Sequence, residues 1–257
     1  MRLPTLADIR RANARVDDNG YVLLTLTRPL GPYLAWLWMR LGLAPRTVNY
    51  LSIALALVIL ALAAAGGSGG LVAATALCFA WQAVDVSDGT LARALGIRDN
   101  FGGFVDYSCG MLIVAFLPLC LGIGAAASPD GSLAALCGAL GLPPPPPPAA
   151  LAMGAAVSAV ALYMRLINRV LQIRFGESLS EPDKAEAGPA SGALRLARDA
   201  LKNLETIGGV QAALFFAAAA TGTLEAALGL YFALYCALLL GFAVSVYRRY
   251  GHRRAYL

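Results

Sequence analysis

Residues 47–66 (TVNYLSIALALVILALAAAG) run for twenty positions without a charged side chain. Twenty helical residues rise about 30 Å, the thickness of a bilayer's hydrocarbon core. Further apolar blocks follow at 70–92, 103–125, 150–172, 208–222 and 223–247. The fifth is short, and Thr221–Gly222–Thr223 leaves only a tight turn before the sixth. Charged residues make up 14% of the chain and hydrophobic residues 59%, against about a quarter and about half in soluble domains. This excludes a soluble enzyme, a disordered chain and a nucleic-acid-binding module. The pattern predicts an all-α integral membrane protein with six transmembrane helices.

The positions of the charges predict its orientation. The net charge is +5, but the basic residues lie between apolar blocks rather than in a soluble patch, so nucleic acid is not an expected partner. The connections 67–69, 126–149 and 222–225 contain no Lys or Arg. All 20 basic residues fall in the N-terminal segment, the 93–102 and 165–207 connections and the C-terminal tail, or at the helix ends beside them. The positive-inside rule places that side, with both termini, in the cytoplasm. Arg outnumbers Lys 18 to 2, a bias associated with GC-rich bacterial genomes; the expected location is a bacterial cytoplasmic membrane.

Three regions follow. Residues 1–46 form a cytoplasmic segment that begins polar, without a signal peptide's apolar core. Within it, 30–43 (LGPYLAWLWMRLGL) mixes aromatics and leucines, as an interfacial amphipathic helix does. Residues 47–247 form the transmembrane domain, and 248–257 a basic tail whose Arg248, Arg249, Arg253 and Arg254 suit anionic lipid. The cytoplasmic loop 175–194 is expected to be mobile. The stretch 194–207 has helical spacing, with Arg195, Arg198 and Lys202 as lipid-facing charges. Pro143–Pro148 forms a stiff polyproline run to which no chemistry is assigned. The five cysteines are scattered without a CxxC pair and read as small apolar residues inside helices.

One stretch breaks the membrane pattern. Asp85 and Asp88 stand three residues apart at the end of the second block, with Gly89 and Ala92 on the same helical face. Gly102, Asp106 and Gly110 repeat every four residues at the start of the third. Acids at a membrane boundary are costly and mark functional sites. Clustered carboxylates repel unless a cation sits between them, and hard oxygen donors favour magnesium or manganese. Small residues allow close approach of a helix or a ligand's phosphates. The alternative is that these acids face cytoplasmic water and pair with Arg93 and Arg98.

The stretch resembles the signature of the CDP-alcohol phosphotransferases, D-x2-D-G-x2-A-R-x8-G-x3-D-x3-D. Asp85, Asp88, Gly89, Ala92, Arg93, Gly102 and Asp106 match seven of its eight fixed positions with the spacing intact. A weaker similarity opens the first span, where Ala44-Pro45-Arg46-Thr47-Val48-Asn49 keeps the proline of a PNxxT-like sequence but neither its Asn nor its Thr. The resemblance implies six spans after an interfacial helix, a homodimer, and two divalent cations (Mg2+ or Mn2+) held by Asp85, Asp88 and Asp106. It implies that Gly89, Ala92, Arg93 and Gly102 shape the nucleotide site. A CDP-linked donor, CDP-diacylglycerol or another CDP-alcohol, would pass its substituted phosphate to an acceptor hydroxyl of unknown identity, releasing CMP.

The eighth position, where the family carries its general-base Asp, is Gly110. Three readings stay open: a substituted form of a working enzyme, an enzyme using another base (the acceptor's own phosphate or Glu205), or a catalytically silent membrane protein that binds CDP-linked donor or lipid. Arg165 and Arg169, i and i+4 at the end of the fourth block, either snorkel to lipid headgroups or receive an anionic acceptor.

Overall fold

The computed structural model describes residues 4–13, 21–97, 100–175, 199–206 and 208–250. The expected mobility of 175–194, the charges Arg195 and Arg198, and the tail beyond Tyr250 fall wholly or mainly outside these residues. Among the described residues every regular element is helical. The N-terminal elements are α1 (Leu6–Asn13), α2 (Val22–Thr27), one turn of 3-10 helix (Arg28–Leu30) and α3 (Gly31–Arg40). The bundle comprises α4 (Pro45–Ala65), α5 (Ser68–Leu95), α6 (Asn100–Ala127), α7 (Ser132–Ala139), α8 (Ala149–Phe175), α9 (Gln211–Thr221) and α10 (Leu224–Tyr250).

Five helices, α4, α5, α6, α8 and α10, are long and apolar enough to cross a membrane. The expected fifth span is α9, whose eleven residues rise only about 16 Å. The chain before it serves another purpose. Val22, Leu23 and Leu24, the first residues of α2, have amide groups with no partner inside their own helix. They donate to Asn203 Oδ1 (2.8 Å), Gly209 O (3.3 Å) and Gly208 O (2.8 Å). Gly209 packs so closely on the Asn203 backbone that a β-carbon there would lie 2.0 Å from its carbonyl oxygen. Asn203, Gly208 and Gly209 thus cap α2, and α9 begins only beyond them.

Gly229 of α10 faces Leu133 of α7 and Met153 of α8, and farther along Phe242 shares a groove with Tyr163 of α8. Both long helices therefore advance the same way.

Backbone contact holds the bundle together at the α4–α5 turn end. Gly122 of α6 and Gly154 of α8 approach so closely that β-carbons would meet Ala150 O at 2.7 Å and Pro118 O at 2.3 Å. Gly124 likewise lies against the Ala63 carbonyl of α4. Lipid chains are as apolar as the helices, so such packing of small residues replaces hydrophobic drive inside the membrane. Pro118 lies inside α6, and the next amide, Leu119 N–H, donates to Ser158 Oγ of α8 at 2.9 Å.

Besides α2, two helices were not evident from the apolar blocks. The polar start of the chain forms α1, where Thr5 and Asp8 cap the first turn reciprocally (2.9 and 3.3 Å), and Ile9 is fully buried beside Ala35, Val48 and Leu91. The connection 126–149 contains α7, which leads into the expected extended proline run. The five cysteines are free, as expected of packing residues.

Asp130, just before α7, caps α10. Its carboxylate accepts from Leu224 N–H (2.7 Å), Glu225 N–H (3.3 Å) and the Ser132 hydroxyl (2.6 Å). Partial burial opposes its ionisation, but the hydrogen bonds from Ser132, Glu225 and Leu224 outweigh it and hold the carboxyl below its usual range. A carboxyl depressed in the folded state contributes stability above its unfolded pKa and loses that contribution as pH falls through the folded value. Asp130→Ala is expected to lose about 1 kcal/mol of stability at pH 7, the usual cost of a removed cap. In thermal unfolding, the difference from the unmodified chain should begin to shrink as pH falls below about 4, the ordinary Asp range, and vanish only below the lower folded value.

Candidate functional site

The acidic signature residues occupy two helices that scarcely touch each other, because α4 packs heavily against both. On α5, Asp88 is buried and Asp85 half-buried; on α6, Asp106 is exposed. The α5 helix stops two residues after Ala94, where Gly96 adopts a left-handed φ of 65°. Its N–H returns to Arg93 O (3.2 Å) while Ile97 N–H returns to Ala92 O (2.9 Å), a glycine C-cap. Pro45 occupies the first turn of α4, where a missing amide costs nothing. Asn49 Nδ2, one turn later, donates to Gly102 O at 3.3 Å, tying α4 to α6.

Two cavities meet at the acids. The first, about 560 Å3, is lined by signature residues Asp88, Gly89, Ala92, Arg93, Gly102 and Asp106, with Pro45, Arg46 and Asn49 of α4. The second, about 440 Å3, shares Asp88, Gly89, Arg93 and Asp106 and adds Asp85. Its far wall comes from the N-terminal elements, with Arg10, Asn13 and Arg28. Asp88 and Asp106 therefore form a partition common to both spaces.

The signature residues are held from behind as well. Trp38 Nε1 of α3 donates to Ser87 Oγ (2.8 Å), between the two α5 acids. Arg93 Nε donates to Asn13 Oδ1 of α1 at 2.6 Å. The Asp88 carboxylate accepts from the Gly89 amide. A β-carbon on Gly89 would come within 3.2 Å of the Arg93 guanidinium, so glycine here lets that arginine fold back along its own helix.

For a divalent cation, the donors fit in kind: three carboxylates line one cavity, and neither Asp85 nor Asp106 takes part in a hydrogen bond or ion pair among the described residues. They are not drawn together, however; among the described residues no three His, Cys, Asp or Glu side chains form a closed metal-binding group. The intervening α4 accounts for this separation. Magnesium sites commonly complete their octahedron with substrate phosphates and water.

Gly110 lies one turn beyond Asp106 on α6, and a β-carbon there would have no neighbour within 4 Å. Arg165 lines a third cavity, about 320 Å3, with Tyr21, Asn168, Glu205 and Tyr235. None of the signature acids borders it. Burial raises the Glu205 pKa, against the opposing pull of Arg165 and Lys202. Arg169 is exposed on α8 and donates to Gln172 (3.2 Å). The structure thus distributes the seven signature residues around two adjoining cavities and places Arg165, Arg169 and Glu205 elsewhere. It adds Arg10, Asn13, Arg28 and Asn49. The proline motif pointed to the neighbourhood of Asn49; no local pattern marks the other three.

No curated protein matches the chain. The CDP-alcohol phosphatidyltransferase family model matches residues 43–172, just over half the sequence, from the turn before α4 to the last turns of α8. It therefore takes in the helices that carry all three acids and Gly110, and the chain belongs to the CDP-alcohol phosphatidyltransferase family.

Proposed function

We propose that the protein transfers a substituted phosphate from a CDP-linked donor to an acceptor hydroxyl, forming a phosphodiester and releasing CMP. The observation that carries this reading is the partition of Asp88 and Asp106 between two cavities, one walled by the signature's small residues and the other by basic side chains. The first suits the nucleotide, with Gly89, Ala92 and Gly102 leaving room for the diphosphate and Arg93 offering positive charge. The acceptor enters the second.

Asp85, Asp88 and Asp106 would hold the family's divalent cations, Mg2+ or Mn2+. When bound, these neutralise charge on the transferring phosphate and on the departing CMP. The acceptor oxygen bonds to the donor phosphorus, the bond from that phosphorus to the CMP oxygen breaks, and the hydroxyl proton must pass to a base. Gly110 offers none. Glu205 lies in a cavity the acids do not border, which leaves the acceptor's own phosphate as the favoured alternative. The second reading, a silent protein that binds donor or lipid, rests on Gly110 alone.

In the membrane we assign six crossings, with residues 208–222 making the fifth, both termini and the acids on the cytoplasmic side, 1–46 as an interfacial arm and 47–247 as the transmembrane unit. The one-sided basic charge and the shared direction of α8 and α10 support this. A bacterial cytoplasmic membrane and a homodimer belong to the same reading. Purified protein in nanodiscs with Mg2+ and CDP-diacylglycerol should release CMP on addition of phosphorylated and unphosphorylated polyols as a panel. CDP binding without CMP release from any acceptor would favour the silent reading.

A further inference from the structure

Arg93 supplies the signature's positive charge, and its side chain is exposed. A free arginine on a helix surface samples many rotamers, and ordering it on a ligand costs up to about 2 kcal/mol. Here the guanidinium is already held. Its Nε donates to Asn13 Oδ1 at 2.6 Å, and its Nη2 to Thr90 Oγ1 at 3.5 Å. The Thr90 hydroxyl donates in turn to Val86 O (2.9 Å), which leaves its oxygen to accept. Asn13 is oriented by the same logic. Its Nδ2 donates to Ile9 O at 2.8 Å, so the amide oxygen is the atom that meets the arginine. Ile9 is fully buried against α3, α4 and α5, which seats α1 on the bundle.

Resting on the proposed transfer reaction, we infer that Asn13 is a positioning residue of the donor site, holding the Arg93 guanidinium by its Nε so that its Nη groups meet the donor's diphosphate. The grip is neutral, and that matters. Asp88 and Asp106 border the same two cavities as Arg93, yet among the described residues no carboxylate forms an ion pair with it. Its charge is left for a ligand. A guanidinium has five N–H donors in a rigid fork; these bonds occupy two of them and fix the plane of the rest. An aspartate at position 13 would also hold Nε but would neutralise the arginine. A side chain without an acceptor would free it to swing onto the signature acids. Residue 13 lies outside residues 43–172, so the match to the family does not account for it. Asn13 also ends α1, and a role confined to that helix end would show in stability alone.

The test is a double-mutant cycle read by CDP affinity, measured calorimetrically on the full chain in phosphatidylcholine nanodiscs with Mg2+. Asn13→Ala is expected to weaken CDP binding about tenfold, the scale of a charge-assisted hydrogen bond, with thermal unfolding confirming that the variant folds. Arg93→Ala should weaken it at least as much. In the Arg93→Ala background Asn13→Ala should cost nothing further, because its effect passes through that arginine. Asn13→Asp should also bind CDP about tenfold more weakly although it keeps an acceptor for Nε, and it carries the test if the alanine variant fails to fold. Additive losses in the double variant, or CDP affinity untouched by Asn13→Ala, would overturn the inference. Full affinity in Asn13→Asp would overturn the need for a neutral grip. Absence of CDP binding by the unmodified chain would remove the transfer reaction and this inference with it, whereas binding that ignores position 13 removes only the inference.

Discussion

Gly110→Asp is expected to raise the rate of CMP release by about 10²- to 10⁴-fold, the usual contribution of a positioned general base. The position is open: no heavy atom lies within 4 Å of where the new β-carbon would sit. It follows Asp106 by one helical turn on the same face of α6, so the added carboxylate would extend the acidic side of the site without displacing a neighbour. Single-turnover measurements with saturating donor would separate this effect from product release. A rate unchanged by the substitution would assign proton removal to a group outside α6. The acceptor phosphate would then take that role, and the rate should fall as the pH drops through its second ionisation near pH 6.

Asp88→Asn should act in the opposite sense. Asp88 is 6% exposed, the most buried of the three acids, and borders both cavities. Exchange for the similarly shaped amide removes a charge but keeps the volume. Magnesium-dependent CDP affinity is expected to fall at least about 100-fold, since even groups that only orient a metal ligand are worth 10- to 100-fold. Without metal, the same substitution should leave the fold equally or more resistant to heat, because it relieves repulsion with Asp85 and Asp106 and the desolvation of a buried charge. This pairing of weaker binding with undiminished stability would mark a site whose charge serves its ligand. Donor binding indifferent to both Mg2+ and Asp88→Asn would remove the metal assignment.

The signature was legible because its chemistry lies within 22 residues on two consecutive helices, with local periodicity bringing each set to one face. Apolar block lengths likewise gave α4, α5, α6, α8 and α10. The basic residues that the N-terminal segment adds to the second cavity were not legible in the same way. Asn13 and Arg93 are 80 positions apart and meet at 2.6 Å only because α1 buries Ile9 against α3, α4 and α5. A polar segment with one buried isoleucine gives hydropathy little to detect. The shortness of α9 has a similar cause: Asn203, Gly208 and Gly209 before it accept from the amide groups of α2, more than 180 positions earlier. Pairing of this kind follows from the fold and leaves no local periodic trace. Arg165 and Arg169 show the converse, since sharing one helical face did not bring them to one cavity.

The close glycine contacts hold α6 against α4 and α8 at one end, and the Asn49–Gly102 hydrogen bond ties it to α4 at the other. From Gly124 to Asp106 is 18 residues of helix, an arm of about 27 Å, so α4 acts as a splint along that length. It keeps the α6 acid apart from the α5 acids, and a shared cation of the kind proposed would need donors from an incoming phosphate to complete its shell.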